Sequence, residues 1–315
     1  MPTLLIDSSF IGYQALWTVG DLSYKDMPTG VIYEFLGRVR SLGDFFQSND
    51  IVFCWDSPRS YRRKKFPFYK NRPESSPEEA QKRSTLKQQL EVLRTEILPQ
   101  IGFKNQCFQD GCESDDLMAK IVIGKLGDFI LVTSDEDLFQ CLAGNVRMFN
   151  PSKKTMMTRE RFVKEYGIQP NEWAKVKAIG GCTSDTVPGV PGVGEKTALS
   201  YLKGTLKPGK KLNDICSASG LNIIKRNMLL VRLPISRAEE PVMEHNSFDM
   251  HAFKEVCEKY GITSFLRPEA QTSWQEFFSL HLPKTFKGGL LGPVRTPRRR
   301  REDPATTEYN ISRTL

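Results

Sequence analysis

The sequence predicts an α/β fold with a mostly parallel central sheet flanked by helices. Residues 3–6, 51–55 and 129–132 are short apolar runs without alternation, which is typical of parallel strands covered on both faces. Helix-like segments alternate with these runs over residues 1 to about 150, as expected for an α/β core. The length of 315 residues is enough for one large or two smaller domains.

Each further element has its own local signal. Residues 31–46 have helical periodicity, and residues 77–99 have a helix start signal, with Ser76 as N-cap and Pro77 as the first helical residue. Residues 146–150 and 155–158 flank a turn and predict a hairpin. The chain from about residue 158 to residue 265 is predicted to be mostly helical.

Carboxylates recur at the ends of the predicted strands. The carboxyl ends of parallel strands lie at one edge of a sheet, where ligands bind in open α/β folds. Clustered carboxylates repel one another unless cations compensate them, and Mg²⁺ prefers oxygen ligands. The sequence therefore predicts a Mg²⁺ site formed by some or all of eight residues: Asp7, Asp56, Glu113, Asp115, Asp116, Asp135, Asp137 and Asp185.

These carboxylates also have structural interpretations. Thr133 and Glu136 have capping-box spacing around Asp135 and Asp137. The acidic residues before the predicted helix at 117–126 could stabilise its N-terminus, and those directly after strands could be turn residues. Capping does not require three strands to end in acids, so the recurrence favours a site.

Composition narrows the class of protein. The net charge is +8 and the isoelectric point about 9.0. Because many acidic residues are predicted to cluster at one site, the rest of the surface must be more basic than this average suggests. Such a surface suits a polyanionic substrate. Seven cysteines without CxxC pairing and three histidines disfavour a structural zinc site, and the odd cysteine count indicates a reducing, intracellular setting. No run approaches the roughly 18 apolar residues of a membrane span.

Residues 59–72 form a basic run interleaved with aromatic side chains. The run holds seven basic residues, four aromatic residues and no acid, and it directly follows the strand that ends near Asp56. Cations pair with phosphates and rings stack on unpaired bases, so Arg63, Lys64 and Tyr69 are predicted to contact DNA. The alternative is a solvated loop whose aromatic residues are anchored in the core.

A glycine-rich stretch at residues 189–198 resembles a phosphate-binding loop but fails its pattern, because Glu195 separates the last glycine from the lysine. A helix, predicted at 171–179, precedes it, so a helix–hairpin–helix is the better interpretation. Such a turn offers backbone N–H groups to a DNA phosphate, and a plain interhelical turn is the alternative. The predicted DNA contacts are Gly189, Gly192, Gly194 and Lys196.

Three regions follow from this organisation. Residues 1–180 are predicted to form the α/β core, and residues 181–284 a helical DNA-binding region. Residues 285–315 are rich in Gly, Pro and Arg and are predicted to be disordered. The four arginines at 298–301 are either part of a solubilising end or a weak tether to DNA or a replication partner.

Taken together, these motifs resemble the 5′-nuclease (flap endonuclease) family, including phage 5′→3′ exonucleases and the 5′-nuclease domain of bacterial DNA polymerase I. The matching stretches are residues 4–16, 55–73, 111–120, 133–142 and 177–202, of which 184–198 is the most specific.

The resemblance implies a PIN-like core with a helical arch at about residues 59–100 and a two-metal site. It implies that the eight carboxylates hold two Mg²⁺ ions, directly or through water, with Mn²⁺ as a possible substitute. Lys70, Arg72 and Arg62 would be cations at the base of the arch that grip the scissile phosphate. The glycine-rich turn would bind duplex DNA, with a K⁺ ion held by backbone carbonyls.

One position departs from the family pattern. The family usually has a further aspartate three residues before Asp185, where this chain has Cys182. A thiol is a poor Mg²⁺ ligand, so the second metal site is expected to be weaker or to depend on Asp185 and water.

The predicted function is a metal-dependent 5′-nuclease acting on flaps, nicks or RNA-primed ends in replication. It would act as a monomer, with a polymerase or a single-strand-binding protein as a possible partner and no membrane association. The rival is a catalytically silent DNA-junction binder, which Cys182 alone supports. A PIN-like ribonuclease is a third interpretation, disfavoured because the helix–hairpin–helix suits duplex DNA.

Overall fold

The three predicted strands lie side by side in one sheet. The structure is a computed structural model and describes residues 1–71 and 76–280. Its six-stranded sheet has the order β5-β4-β1-β6-β7-β8, in which β8 is antiparallel to β7 and the other pairings are parallel. This confirms the predicted fold class. The strands are β1 Thr3–Asp7, β2 Ser23–Tyr24, β3 Met27–Pro28, β4 Ile51–Cys54, β5 Gln106–Cys107, β6 Phe129–Val132, β7 Val146–Asn150, β8 Thr155–Met157, β9 Gly181–Cys182 and β10 Val187–Pro188.

Helices cover both faces of this sheet and form most of the second half of the chain. Short 3-10 helices cover Glu136–Cys141, Pro170–Glu172 and Thr263–Leu266, and a π-helical turn covers Leu93–Ile97. The α-helices are α1 Ser8–Val19, α2 Gly30–Phe46, α3 Tyr61–Lys65, α4 Pro77–Val92, α5 Leu98–Ile101, α6 Ser114–Val122, α7 Arg159–Tyr166, α8 Trp173–Gly180, α9 Glu195–Leu202, α10 Lys210–Cys216, α11 Ala218–Val231, α12 Met250–Lys259 and α13 Pro268–Phe278.

The sheet is buried on both faces, which explains its unbroken apolar strands. Alternate residues of β1 point to opposite faces, so Leu5 joins the core beneath α6, whereas Leu4 and Ile6 join the core beneath α2. The register pairs Leu4 with Ile51 of β4 and with Ile130 of β6. This parallel register aligns the strand ends, so the residues after β1, β4 and β6 emerge at one edge.

Local capping chemistry sets the helix bounds that position the site. Ser76 accepts a hydrogen bond from the backbone N–H of Glu79 and caps α4, as predicted. The predicted helix at 77–99 continues through the π-helical turn into α5 and ends at Gly102 with φ of 108°. By contrast, the helix predicted at 117–126 begins earlier, at Ser114, and ends at Val122.

The glycine-rich stretch joins α8 to α9, as expected for a helix–hairpin–helix. The small β9–β10 hairpin lies between the helices, and the backbones approach closely: a Cβ at Gly189 would lie 2.4 Å from the carbonyl carbon of Gly180. The fully buried Asn227 of α11 donates to the carbonyl oxygens of Ala178 and Pro188 at 2.9 Å each. Glycines and this amide together hold the turn against α11.

Candidate metal centre and nucleic-acid interface

Five of the eight predicted carboxylates line one cleft at the carboxyl edge of the sheet. The cleft has a volume of about 440 Å³ and is also lined by three basic side chains, Arg63, Lys70 and Arg83. The position follows from the parallel register, because Asp7 ends β1 and Asp56 lies two residues after β4. The carboxylates are Asp7, Asp56, Glu113, Asp115 and Asp135.

Hydrogen bonds fix the orientation of the carboxylates at the strand ends. One oxygen of Asp7 accepts from the backbone N–H of Phe10 at 3.1 Å and caps α1, and the other accepts from the Thr133 hydroxyl at 2.9 Å. Asp56 accepts from the backbone N–H of Ser114 at 2.8 Å. Burial, followed by the neighbouring Asp56 charge, raises the pKa of Asp7 to about 7. The protein thus holds Asp7 where its negative charge is unfavourable without a cation.

A second group of ligand atoms is formed by Asp137, Cys182 and Asp185. One carboxylate oxygen from each aspartate and the Cys182 sulphur all lie within 4.8 Å of one another. Burial, with the nearby Asp135 charge, raises the pKa of Asp137 to about 7. The eight predicted carboxylates are therefore not equivalent, since this group includes sulphur and the first contains only oxygen.

Asp135 caps the short helix that carries Asp137. Its carboxylate accepts from the backbone N–H of Asp137 at 2.9 Å. The capping box suggested by the spacing of Thr133 and Glu136 is therefore wrong, because Thr133 is engaged with Asp7 and with the backbone N–H of Asp135. Capping and lining the cleft coexist in Asp135, so the two interpretations of this residue were not alternatives.

Two lysines approach the carboxylates. Lys70 Nζ lies 2.6 Å from Glu113 Oε2 and 3.9 Å from Asp185 Oδ1, so it stands between the two groups. Lys177 Nζ lies 3.8 Å from Asp137 Oδ1. Burial alone would raise the pKa of Glu113, but Lys70 and then Arg62 outweigh it, so this pKa is lowered. Glu113 is thus an ionised partner for Lys70.

The structure corrects the predictions for Asp116 and Arg62. Arg62 forms a bidentate pair with Asp116 at 2.5 and 2.7 Å, and its Nε donates to the carbonyl of Leu230 at 2.8 Å. The two side chains are 2% and 0% exposed. Asp116 also accepts from the backbone N–H of Ile235 at 2.9 Å. Arg62 and Asp116 are therefore buried against each other and are not among the residues that line the cleft.

Tyr69 is also placed differently from its prediction as a DNA contact. The ring is 2% exposed and packs with Ala174 and Ala178, and the hydroxyl lies 3.0 Å from Glu113 Oε2 and 3.4 Å from Asp185 Oδ2. Buried among these groups, it cannot stack on a base. The core-anchored alternative is correct for this aromatic residue.

The remaining predicted contacts have mixed positions. Arg63 lines the cleft, Lys64 is exposed, and Arg72 lies outside the described residues, as does the basic tail. In the glycine-rich turn, Gly192 has φ of 72° with no atom within 4 Å of an added Cβ. Gly194 has no side chain to cap α9, and Lys196 is exposed, so the turn presents backbone N–H groups and a cation to solvent.

Sequence reasoning missed Arg83 and Lys177. Arg83 lies on α4 and lines the cleft although α4 begins more than twenty residues after Asp56 in the chain. Lys177 is four residues after Trp173 on α8 and lies over its ring at 5.0 Å. No local signal separates Arg83 from a solvated helical arginine. Lys177, by contrast, lies in a stretch already matched by the family resemblance.

The chain is similar in sequence to known 5′-3′ exonucleases. A family model described as the 5′-3′ exonuclease, N-terminal resolvase-like domain, matches residues 2–167. A 5′-3′ exonuclease of Aquifex aeolicus is 32% identical over 209 residues, which are 64% of this chain and 70% of that protein. A DNA polymerase I of Mycobacterium tuberculosis is 29% identical over 64% of this chain but only 23% of its own length.

Solved structures share the fold. A bacteriophage T5 5′-exonuclease with divalent zinc bound superposes with a TM-score of 0.61 and 18% identity, over 89% of this chain and 99% of that one. The flap endonuclease-1 of Methanococcus jannaschii superposes with a TM-score of 0.52 and 12% identity, over 89% and 92% of the two chains. In the part of the chain that the structure describes, no helix is long and apolar enough to cross a membrane.

Proposed function

Because this chain belongs to the 5′-3′ exonuclease family, a family of phosphodiester hydrolases, we propose that it uses Mg²⁺ to cut DNA at 5′ flaps, nicks and RNA-primed ends. The observation that carries the proposal is the convergence of five carboxylates with Lys70 on one cleft. The silent junction binder has no support in the family comparison, and Cys182 remains its one argument.

The donor set of the cleft suits a hard divalent ion. Asp7, Asp56, Asp115 and Asp135 offer oxygen only, and Mg²⁺ takes one or two carboxylates while keeping several waters. Such an ion, when bound, supplies an activated water and stabilises the leaving oxygen. Burial, followed by the Asp116 charge, raises the pKa of Asp115 well above its ordinary value. A bound cation would therefore stabilise the ionised form of this carboxylate.

The basic side chains at the cleft would hold the substrate. Lys70 is about one-third exposed and already oriented by Glu113, so it can add a hydrogen bond to a phosphate placed beside the carboxylates. Arg63 and Arg83 line the same cleft from α3 and α4 and would pair with neighbouring phosphates. Arg63 and Arg83 would thus take the role first expected of Arg62, beside Lys70, for which that role was already predicted.

The glycine-rich turn would grip the duplex on one side of the cut. Backbone N–H groups at Gly192 and Gly194, with the exposed Lys196, can bind a phosphate without reading bases. A K⁺ ion on the carbonyls of this turn belongs to the same proposal. We further propose a monomer that acts in the cytoplasm during replication, beside a polymerase or a single-strand-binding protein.

The test is cleavage of a 5′-labelled flap by the full chain in Mg²⁺ and in EDTA. Asp135→Ala should abolish cleavage while flap binding persists, since Asp135 lines the cleft. Asp128→Ala is the matched control, because Asp128 is half exposed at the opposite edge of the sheet and pairs with Arg147. If the unaltered protein binds the flap tightly but never cuts it in Mg²⁺ or Mn²⁺, the silent binder is correct.

A further inference from the structure

The group formed by Asp137, Cys182 and Asp185 differs in chemistry from the rest of the site. Its three ligand atoms lie within 4.8 Å of one another. Two ligands of one tetrahedral ion are about 3.6 Å apart when the metal–sulphur bond is about 2.3 Å and the metal–oxygen bond about 2.1 Å. Side-chain shifts of about 1 Å would therefore let one ion contact all three.

From this geometry we propose that Cys182, Asp137 and Asp185 form a mixed sulphur–oxygen site that binds a thiophilic divalent ion of the Zn²⁺ or Co²⁺ type in preference to Mg²⁺. The inference deepens the proposed function, on which its catalytic meaning rests, by giving the two halves of the site different metal preferences. Thiolate selects Zn²⁺ and related ions, whereas carboxylate and water suit Mg²⁺.

The position of the thiol distinguishes it from the other buried cysteines. Within residues 1–71 and 76–280, Cys182 is the one cysteine that belongs to a group of three convergent ligand atoms. Its sulphur is 3.0 Å from the Ser184 hydroxyl, and β9 and β10 fix its backbone beside Val187. The residue is 7% exposed. A thiol held in this way is pre-oriented toward the two carboxylates rather than toward an apolar core alone.

The two lysines nearest to this group approach its carboxylates without hydrogen bonding to them. Lys177 is 3.8 Å from Asp137, and Lys70 is 3.9 Å from Asp185 but closer, at 2.6 Å, to Glu113. Neither distance to the group is that of a hydrogen bond. Binding would replace the thiol proton, which passes to solvent, by a metal–sulphur bond in which sulphur donates the electron pair. No oxidation or reduction is involved.

The test is Co²⁺ titration of the full chain, followed by the sulphur-to-cobalt charge-transfer absorption in the near ultraviolet. We expect the band in the unaltered protein, its loss in Cys182→Ser and its retention in Cys216→Ser. Cys216 is the matched control because it is an exposed cysteine on α10. Added Zn²⁺ should displace the band, and excess Mg²⁺ should not.

Two results would overturn the inference: no band in the unaltered protein, or a band that survives in Cys182→Ser. If Cys182→Ser does not fold by circular dichroism, Asp185→Asn replaces it, and an unchanged Co²⁺ affinity there overturns the inference equally. Flap cleavage in Mg²⁺ without a band would keep the nuclease and reject the mixed site. A band without cleavage in any metal would keep the site and reject the proposed nuclease function.

Discussion

Replacing Arg62 by Met tests whether this residue acts in folding rather than in phosphate binding. The guanidinium is 2% exposed and makes both bonds of a bidentate pair with Asp116, which is 0% exposed. Methionine fills much of the volume of the arginine stem but leaves the Asp116 charge buried without its partner. It also removes the donor to the Leu230 carbonyl.

The size of the effect follows from that burial. Breaking a buried ion pair by removing one partner costs about 3–5 kcal/mol in the free energy of unfolding. With an unfolding entropy of about 2.1 cal/mol/K per residue, a chain of 315 residues loses about 1.5 °C of melting temperature per kcal/mol, so the expected decrease is about 5–8 °C. Arg62→Met combined with Asp116→Asn should recover most of the loss, because no unpaired charge then remains.

Urea unfolding and flap binding in EDTA, measured on the same preparations, separate the two roles. Arg63→Met is the matched control, since Arg63 is the next residue but lines the cleft. It should change stability by less than about 0.5 kcal/mol and weaken flap binding. If Arg62→Met leaves stability unchanged and instead lowers flap affinity as Arg63→Met does, the structural assignment of Arg62 is refuted.

Three further outcomes are expected. In EDTA the stability to urea should fall as pH rises from about 4 to 7. Asp7 and Asp137 have pKa values raised from 3.8 to about 7, so the folded state binds more protons than the unfolded state in this range. Each residue contributes at most about 4 kcal/mol to the free energy of unfolding, and a stability that rises with pH would contradict the prediction. Gly189→Ala should lower stability and duplex binding because its Cβ would lie 2.4 Å from the backbone of Gly180, whereas Gly144→Ala, with no atom within 4 Å, should not; equal melting temperatures would contradict the close approach. Metal-free flap binding should weaken steeply with added salt if the protein contacts several phosphates. An affinity that does not change with salt would contradict the prediction that the basic surface binds the DNA backbone.

The parts of the fold that follow from local chemistry could be predicted. The unbroken apolar composition of the runs that form β1, β4 and β6 predicts that these strands are buried on both faces. Because the strands are parallel, their carboxyl ends lie at one edge of the sheet. Ser76 identified the start of α4 because an N-cap acts on its own next turn. Asp7 and Asp56 could be placed in the cleft because they lie at the carboxyl ends of strands that meet at one edge of the sheet.

Side-chain direction at the start of α6 could not be predicted in the same way. Asp115 and Asp116 are adjacent and identical in type, but successive residues of a helix point in different directions. Asp115 lines the cleft, whereas Asp116 faces the interior and meets Arg62, 54 residues away in sequence. Only the tertiary arrangement decides which of the two is buried.

Partners distant in sequence also explain the error at Tyr69 and the omission of Lys177. A tyrosine within a basic run has the composition of a nucleic-acid contact, but the helix α8, a hundred residues later, covers its ring. Lys177 on that same helix meets Asp137 across the chain. The boundary of the helical region at about residue 180 stays a prediction, as does the individual role of each carboxylate.

The spread of the site along the chain has a consequence during protein synthesis. A nascent chain that has emerged only as far as residue 167, where the family match ends, would already carry Asp7, Asp56 and Asp135 but not Asp185. It would also lack the Leu230 and Ile235 backbone groups that satisfy Arg62 and Asp116. We expect ribosome-bound and prematurely terminated chains to be unable to cut DNA, so the cell is exposed to the nuclease only once the second half has folded onto the first.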